Sequence, residues 1–177
     1  MRNAKDRIKK ALADLSRQKD FADISVKSIF EAAGVSKQSF YNYYLDKYDV
    51  VFDLFRDDIK QQGGDDVFLN PSEMMLNADK LAENKDLYLS AFYDDSYKIL
   101  PYIVEYAYSK NIATLEKILG SDAVSEQDKY NVRVWVYGGM HIFTEWLAGR
   151  IDTPKEKLLE YSYNSVPDII KRAEKLK

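Results

Sequence analysis

The chain has 177 residues, a formal net charge of −3, no cysteine, one histidine, seven glycines and four prolines. That length suits one domain, or one with a small appended module, and can bury a core without staples; the missing cysteines exclude disulfides, thiolate metal sites and a cysteine nucleophile, and a lone histidine excludes multi-histidine metal sites. Residues 1–47 carry ten Lys/Arg against six Asp/Glu, net +4, while residues 48–177 carry sixteen against twenty-three, net −7, so a basic quarter precedes an acidic body.

A basic end suits an anionic partner such as nucleic acid, although a solvated charged helix gives the same arithmetic. No apolar run approaches the roughly 18 residues of a membrane span, and no signal peptide opens the chain. The expectation is a soluble cytoplasmic protein, nucleoid-associated if it binds DNA, with no membrane partner.

Residues 1–18 place Ile8, Ala11, Leu12 and Leu15 on one stripe at i, i+3, i+4, i+7, which predicts an amphipathic helix. Phe21 and Ile24 anchor a short connection. Ser25 is suited to N-cap a second helix over about 26–33, with Ile29 and Ala33 facing inward. Gly34 ends it where a left-handed residue is wanted. Ser36 caps a third short helix, about 37–44, and Asp46 with Asp49 caps a fourth in a capping-box-like arrangement. The fourth runs to about Gln62, with Val50, Val51, Leu54, Phe55 and Ile59 apolar.

Gln61-Gln62-Gly63-Gly64-Asp65-Asp66 is the clearest break, because paired glycines and like charges do not sustain a helix. The division is then 1–47 as an N-terminal helical module, 48–62 as a connecting helix and 63–177 as a C-terminal body. Asn70-Pro71-Ser72-Glu73 restarts helix. Further helices fall at about 71–83, 86–97, 101–119, 126–148 and 154–175. Ser125 with Asp128 starts one, and Thr153-Pro154-Lys155-Glu156 reads as a capping box for the last. Gly120 and Gly149 serve as stops, and Pro167 should kink or split the final helix. The fold class is all-α, with about nine helices.

The informative stretch is SVKSIFEAAGVSKQSFYNYYLDKYDVV, residues 25–51. A helix, a tight turn at Gly34-Val35 and a short polar helix make the helix-turn-helix pattern. The same spacing also occurs as a corner in unrelated helical proteins. Reading duplex DNA asks for a narrow second helix with hydrogen-bonding side chains outward and an apolar underside. Val35, Phe40 and Tyr44 supply the underside. Lys37, Gln38, Ser39, Tyr41, Asn42 and Tyr43 are left outward. Gln38 can pair bidentately with an adenine edge, Lys37 can donate to guanine and Ser39 to either. The Tyr41 hydroxyl and the Lys47 ammonium suit phosphates, which set position and carry little sequence information. The helix starts at Ser25 and Asp46 can aim backbone N–H groups at phosphates, though the Asp46 charge opposes that at the second.

GVSKQSFYNYYLDKYDVV resembles the DNA-binding signature of TetR-family transcriptional regulators, and residues 8–52 follow that pattern throughout. Three departures stand out: Phe30 replaces a usual alanine, Tyr43-Tyr44 a common His-Phe pair, and Val50-Val51 common leucines. The resemblance implies DNA contacts at Ser25, Lys27, Lys37, Gln38, Ser39, Tyr41, Asn42 and Tyr43, with Lys47 as the phosphate-binding lysine. It implies a TetR-like all-α fold: a three-helix DNA-binding domain with a C-terminal ligand-binding and dimerisation bundle. It further implies a regulator, of repressor type released by a small-molecule effector, that binds a palindromic operator on double-stranded DNA as a homodimer.

VRVWVYGGMHIFTEWLAGRIDTPKEKL is similar to the penultimate helix and turn of small TetR proteins related to the dihydroxyacetone-kinase operon regulators. There the last two helices form the dimer interface. Val132, Val136, Gly139, Phe143 and Leu147 make the stripe expected to carry it, and Gly138-Gly139 permits close approach of another helix, or else marks a kink or intrachain contact. Tyr93, Tyr97, Tyr102 and Tyr106 pair at i, i+4 and read either as an aromatic-lined effector pocket or as core filling with wet hydroxyl tips. His141 and Glu145 share a helix face but lack further metal ligands, so His141 is expected to be structural. No catalytic constellation, metal site or cofactor motif is found, and an enzyme is not expected. The alternative function is a protein-interaction module of the same shape that does not bind DNA; the intact polar face of 37–43 argues against it.

Overall fold

The computed structural model of the chain describes residues 3–63, 78–93 and 99–176, the side chains of 59–63 excepted. Among these residues all regular structure is helical: α1 (Ala4–Ser16), α2 (Val26–Ala32), α3 (Lys37–Tyr41), α4 (Lys47–Gly63), α5 (Lys85–Phe92), α6 (Ile99–Leu119), α7 (Glu126–Leu147), α8 (Lys155–Asn164) and α9 (Asp168–Glu174), with short 3-10 turns at Phe21–Asp23 and Ser121–Ala123. Residues 78–83 are also helical. Two compact units are formed, one of residues 1–58 with 81–101, the other of 59–80 with 102–177. The predicted cap at Asn70-Pro71 lies outside the described residues.

In the first unit Ile8 and Leu12 of α1, Phe21, Ile24, Ile29, Phe40 and Val50, Val51 and Phe55 of α4 form the core. Leu87, Tyr88, Ala91 and Phe92 of α5 are buried with them, and Phe55 meets the Tyr88 ring edge-on at 5.8 Å. The Phe21 amide donates to the Ser90 hydroxyl at 3.0 Å, which ties the 3-10 turn to α5. Asp58 of α4 is buried but takes hydrogen bonds from the Tyr88 hydroxyl at 2.6 Å and the Asn84 amide at 2.9 Å. Burial first, then the Asp58 charge, push the Tyr88 phenol well above its ordinary pKa.

In the second unit Ile103, Ala107, Leu115, Val132, Val136, Met140, Leu147, Ile170 and Ala173 are buried. Arg133 of α7 grips Glu105 of α6 through two guanidinium nitrogens at 3.0 and 3.4 Å and lies 3.9 Å over the Tyr108 ring. Ser125 and Asp128 close the expected capping box of α7. Gly149, at φ 74°, ends the α7 run with its N–H on the Trp146 carbonyl, and Arg150 N–H reaches Glu145, a Schellman closure that needs the positive φ.

The box read at Thr153–Glu156 does not form. Pro154 stands at the N-cap without a side-chain bond, and the Thr153 carbonyl instead accepts the Trp146 indole N–H at 2.9 Å. Pro167 splits the last helix into α8 and α9, since its ring cannot follow Val166 in a continuous helix. His141 is exposed, a surface residue where a structural role had been expected, and Glu145 pairs with Arg150 at 2.8 Å.

Candidate nucleic-acid interface

The interface begins with local caps. The Ser25 hydroxyl accepts the Ser28 amide at 3.0 Å and starts α2. At its end the Gly34 N–H reaches Glu31 and the Val35 N–H reaches Phe30, both bonds of a Schellman turn. Gly34 adopts φ 60°, and its carbonyl accepts a guanidinium N–H of Arg7 at 3.2 Å, so α1 holds the turn from behind. A Cβ there would meet only that guanidinium, at 3.8 Å. Gly34→Ala is therefore expected to destabilise through backbone strain alone, by about 1–2 kcal/mol, lowering the thermal midpoint without altering the core; calorimetry of the purified variant checks this.

Ser36 next accepts the Ser39 amide at 3.0 Å and opens α3. The helix is shorter than read, Lys37–Tyr41, yet hydrogen bonds from Asn42, Tyr43 and Tyr44 back to Gln38 and Phe40 carry the turn on to residue 44. Phe40 is fully buried and Tyr44 is 4% exposed, with ring centroids 5.8 Å apart. Val35 is half-buried beside them. On the other side Tyr41 and Tyr43 are 48% and 49% exposed, and Lys37, Gln38 and Asn42 are exposed as well. Ser39 is half-buried. Ser25 and Lys27 are exposed on α2, with Lys27 Nζ 3.8 Å from Glu31. The structure thus brings Lys37, Gln38, Tyr41, Asn42 and Tyr43 onto one open polar surface. Leu45, 81% exposed at its edge, is an apolar member that the polar pattern did not single out.

Lys47 stands at the start of α4. Its ammonium donates to the carbonyls of Phe21 at 2.6 Å and Ala22 at 3.2 Å and sits 4.3 Å over the Phe21 ring. These contacts staple the start of α4 to the Phe21–Asp23 turn, a role that residue type and spacing do not reveal. Asp46 caps α4 as expected, accepting the amides of Tyr48 and Asp49, so the N–H groups of that first turn are already engaged.

Asp53, 5% exposed on α4, was not anticipated at all. Its carboxylate accepts the Tyr44 hydroxyl at 2.9 Å and faces Lys5 at 3.0 Å, Lys9 at 3.6 Å and Arg56. Lys9 also pairs with Asp57. Burial disfavours the Asp53 charge, but Lys5, Tyr44 and Lys9 outweigh it and hold its pKa below the ordinary carboxylate value. The same burial, then Asp53, push the Tyr44 phenol far up, so it remains a donor. The only sequence signal was an acid three residues after Val50 on the apolar side of the helix.

Of the tyrosines read as a pocket, Tyr93 and Tyr102 are exposed, Tyr106 is half-buried beside Lys110, and Tyr97 lies outside the described residues. The open groove of about 870 Å³ in the second unit runs along α7, α8 and the start of α9 past Tyr130, Val134, Gly138, Ile142, Tyr161 and Ser165, and Tyr93, Tyr102 and Tyr106 are not among its lining residues.

Of the stripe expected to carry a dimer interface on α7, Val132, Val136 and Leu147 are buried within the chain. Val136 and Leu147 are each 5% exposed, packed within the chain, and Phe143 is half-buried with its ring 6.0 Å from Trp146. Gly139 is half-buried. The face left open carries Tyr130, Val134, Tyr137 and Ile142. Among the described residues, a Cβ at Gly138 or Gly139 would meet nothing within 4 Å.

Among the described residues no group of three or more His, Asp or Glu is placed to hold a metal, and no helix is long and apolar enough to cross a membrane. No protein-family model matches the sequence, and no curated protein is recognisably similar to it. A solved structure named dihydroxyacetone kinase operon activator DhaS aligns with TM-score 0.62 at 20% identity, covering 98% of this chain and 98% of that one. The chain therefore has an all-α, TetR-like fold.

Proposed function

We propose that the chain is a transcriptional regulator that binds double-stranded DNA as a homodimer. One observation carries this: the open polar surface of Lys37, Gln38, Tyr41, Asn42 and Tyr43, seated on the buried rings of Phe40 and Tyr44 behind a tight turn. Such a segment is narrow enough for a major groove and presents side chains of the right hydrogen-bonding types. The basic first 47 residues supply the sequence-independent attraction to phosphates. The operon-activator name of the structural neighbour is in keeping with a regulator.

Within this reading Gln38, Lys37 and Asn42 face base edges, and Ser39 supports them. Tyr41, Tyr43, Ser25 and Lys27 contact the backbone. Lys47 holds the turn it staples and lies at the start of α4 for a phosphate contact. The second copy docks on the open face of α7 around Val134, Gly138, Gly139 and Ile142, with Tyr161 of α8 alongside. Repression with release by a small effector is the mode implied by the resemblance, and the neighbour's name points to activation; a reporter fused to the selected operator reads the sign.

Selection of bound duplexes from a random library is the test. An enriched inverted repeat, with binding that weakens steeply with salt, is expected. No enrichment, together with a stable complex with another regulator, would instead favour the protein-interaction module. Gln38→Ala is expected to relax preference at one base pair per half-site by about 1–3 kcal/mol, measured by competition between the selected duplex and its single-base variants.

A further inference from the structure

Tyr44 closes the polar segment, and its ring already has apolar company in Phe40. A phenylalanine would fill that space as well, so core packing does not call for the hydroxyl. The oxygen adds direction. Aromatic contacts tolerate a wide spread of distances and tilts, whereas a hydrogen bond to a carboxylate is confined in both length and angle. The acceptor is itself immobilised: Asp53 lies on the buried side of α4 and is faced by Lys5 and Lys9 from α1 and by Arg56 from its own helix. Tyr41, Asn42 and Tyr43 immediately precede the tethered residue, and the amides of 42–44 are bonded only to Gln38 and Phe40 in the last turn. Rotation of that turn is what the hydroxyl opposes. All of these residues belong to the first unit.

We propose that Asp53 and the Tyr44 hydroxyl form a positioning pair that sets the angle at which residues 37–43 are presented, and so the preference for the specific duplex over any other, without touching DNA. This rests on the DNA-binding reading above. The pair draws a line from α1 through α4 to the reading segment, so that a shift of α4 reaches the DNA-facing side chains through this bond beside the Leu45 amide's bond to Asp49 at 2.8 Å.

The test uses the full chain and its Tyr44→Phe variant, with Asp53→Glu, which displaces the carboxylate by one methylene, as the second variant should the first fold poorly. Amide hydrogen exchange and affinity for the selected and for a random duplex are measured together. Exchange at residues 42–45 is expected to rise about tenfold, the weight of a hydrogen bond to a charged group, and by more than exchange in α1 and α5, with the thermal midpoint lowered by several degrees. Affinity for the selected duplex should fall about tenfold by the same measure, and affinity for the random duplex and the salt slope should stay at wild-type values.

Three results overturn the proposal: wild-type exchange at 42–45, faster exchange with unchanged specific affinity, or a uniform loss of protection with both affinities falling together. If the wild-type chain selects no duplex, the DNA-binding reading fails by itself. The exchange result then decides the pair alone, local acceleration supporting it and wild-type exchange overturning it.

Discussion

Phe40→Ala is expected to abolish sequence-specific DNA binding and to unfold much of the first unit at ordinary temperature. Phe40 has no exposed surface and lies directly beneath the polar segment, in edge contact with Tyr41 at 5.4 Å and tilted against Tyr44 at 5.8 Å. Truncating a fully buried phenylalanine costs about 3–5 kcal/mol, through lost transfer energy and the cavity left behind. Whole domains are stable by only about 5–15 kcal/mol. The cavity would open under the side chains that must be held at a fixed angle, so binding should fail before global unfolding is complete. Denaturant midpoints and mobility shifts on the selected duplex check both effects. Phe40→Leu fills most of the volume and is expected to retain folding and most of the affinity.

Ile142→Asp is expected to leave the fold intact and to separate the dimer. Ile142 is 45% exposed and Val134, two turns earlier on the same face of α7, is 54% exposed, beside a glycine pair that no described residue outside the helix crowds. A carboxylate placed there stays hydrated in the monomer but would be desolvated and unpaired against a second copy. Sedimentation should show a dimer for the wild type and a monomer for the variant, with equal helicity. Affinity for the full inverted repeat should drop by roughly 10²–10⁴, the gain that a second linked site normally brings. A wild-type protein that sediments as a monomer at micromolar concentration would remove the dimer from the proposal. Val136→Asp makes the internal control: Val136 is 5% exposed, so a charge there should cost folding itself.

Much of the first unit was legible because its signals are local. Stripe spacing in α1, the Ser25 and Ser36 caps and the left-handed Gly34 each depend on residues a few positions apart, and each appears where periodicity and capping chemistry put it. The pairing of α5 with Phe21 and Asp58 depends on residues separated by 26 to 69 positions, and nothing in a single sequence announces it. The same holds for Asp53. Its place on an apolar helix face could be counted, but the lysines that make burial tolerable come from another helix.

α7 shows the limit most sharply. It carries apolar residues around much of its circumference, so two stripes compete, one through Val132, Val136 and Leu147 and one through Val134 and Ile142. A hydrophobic period says that a helix has faces to cover and not which partner covers each. The amino-acid sequence alone determined that this protein is helical, that a capped turn presents a short polar segment, and, Ser39 excepted, which side chains of that segment are exposed, because helix geometry and capping act over a single turn. Only the tertiary structure decided that Lys47 staples a turn, that Asp53 anchors Tyr44 and that α7 turns Val136 inward and Ile142 out, because those outcomes are settled by which distant surfaces compete for the same apolar area and the same charges.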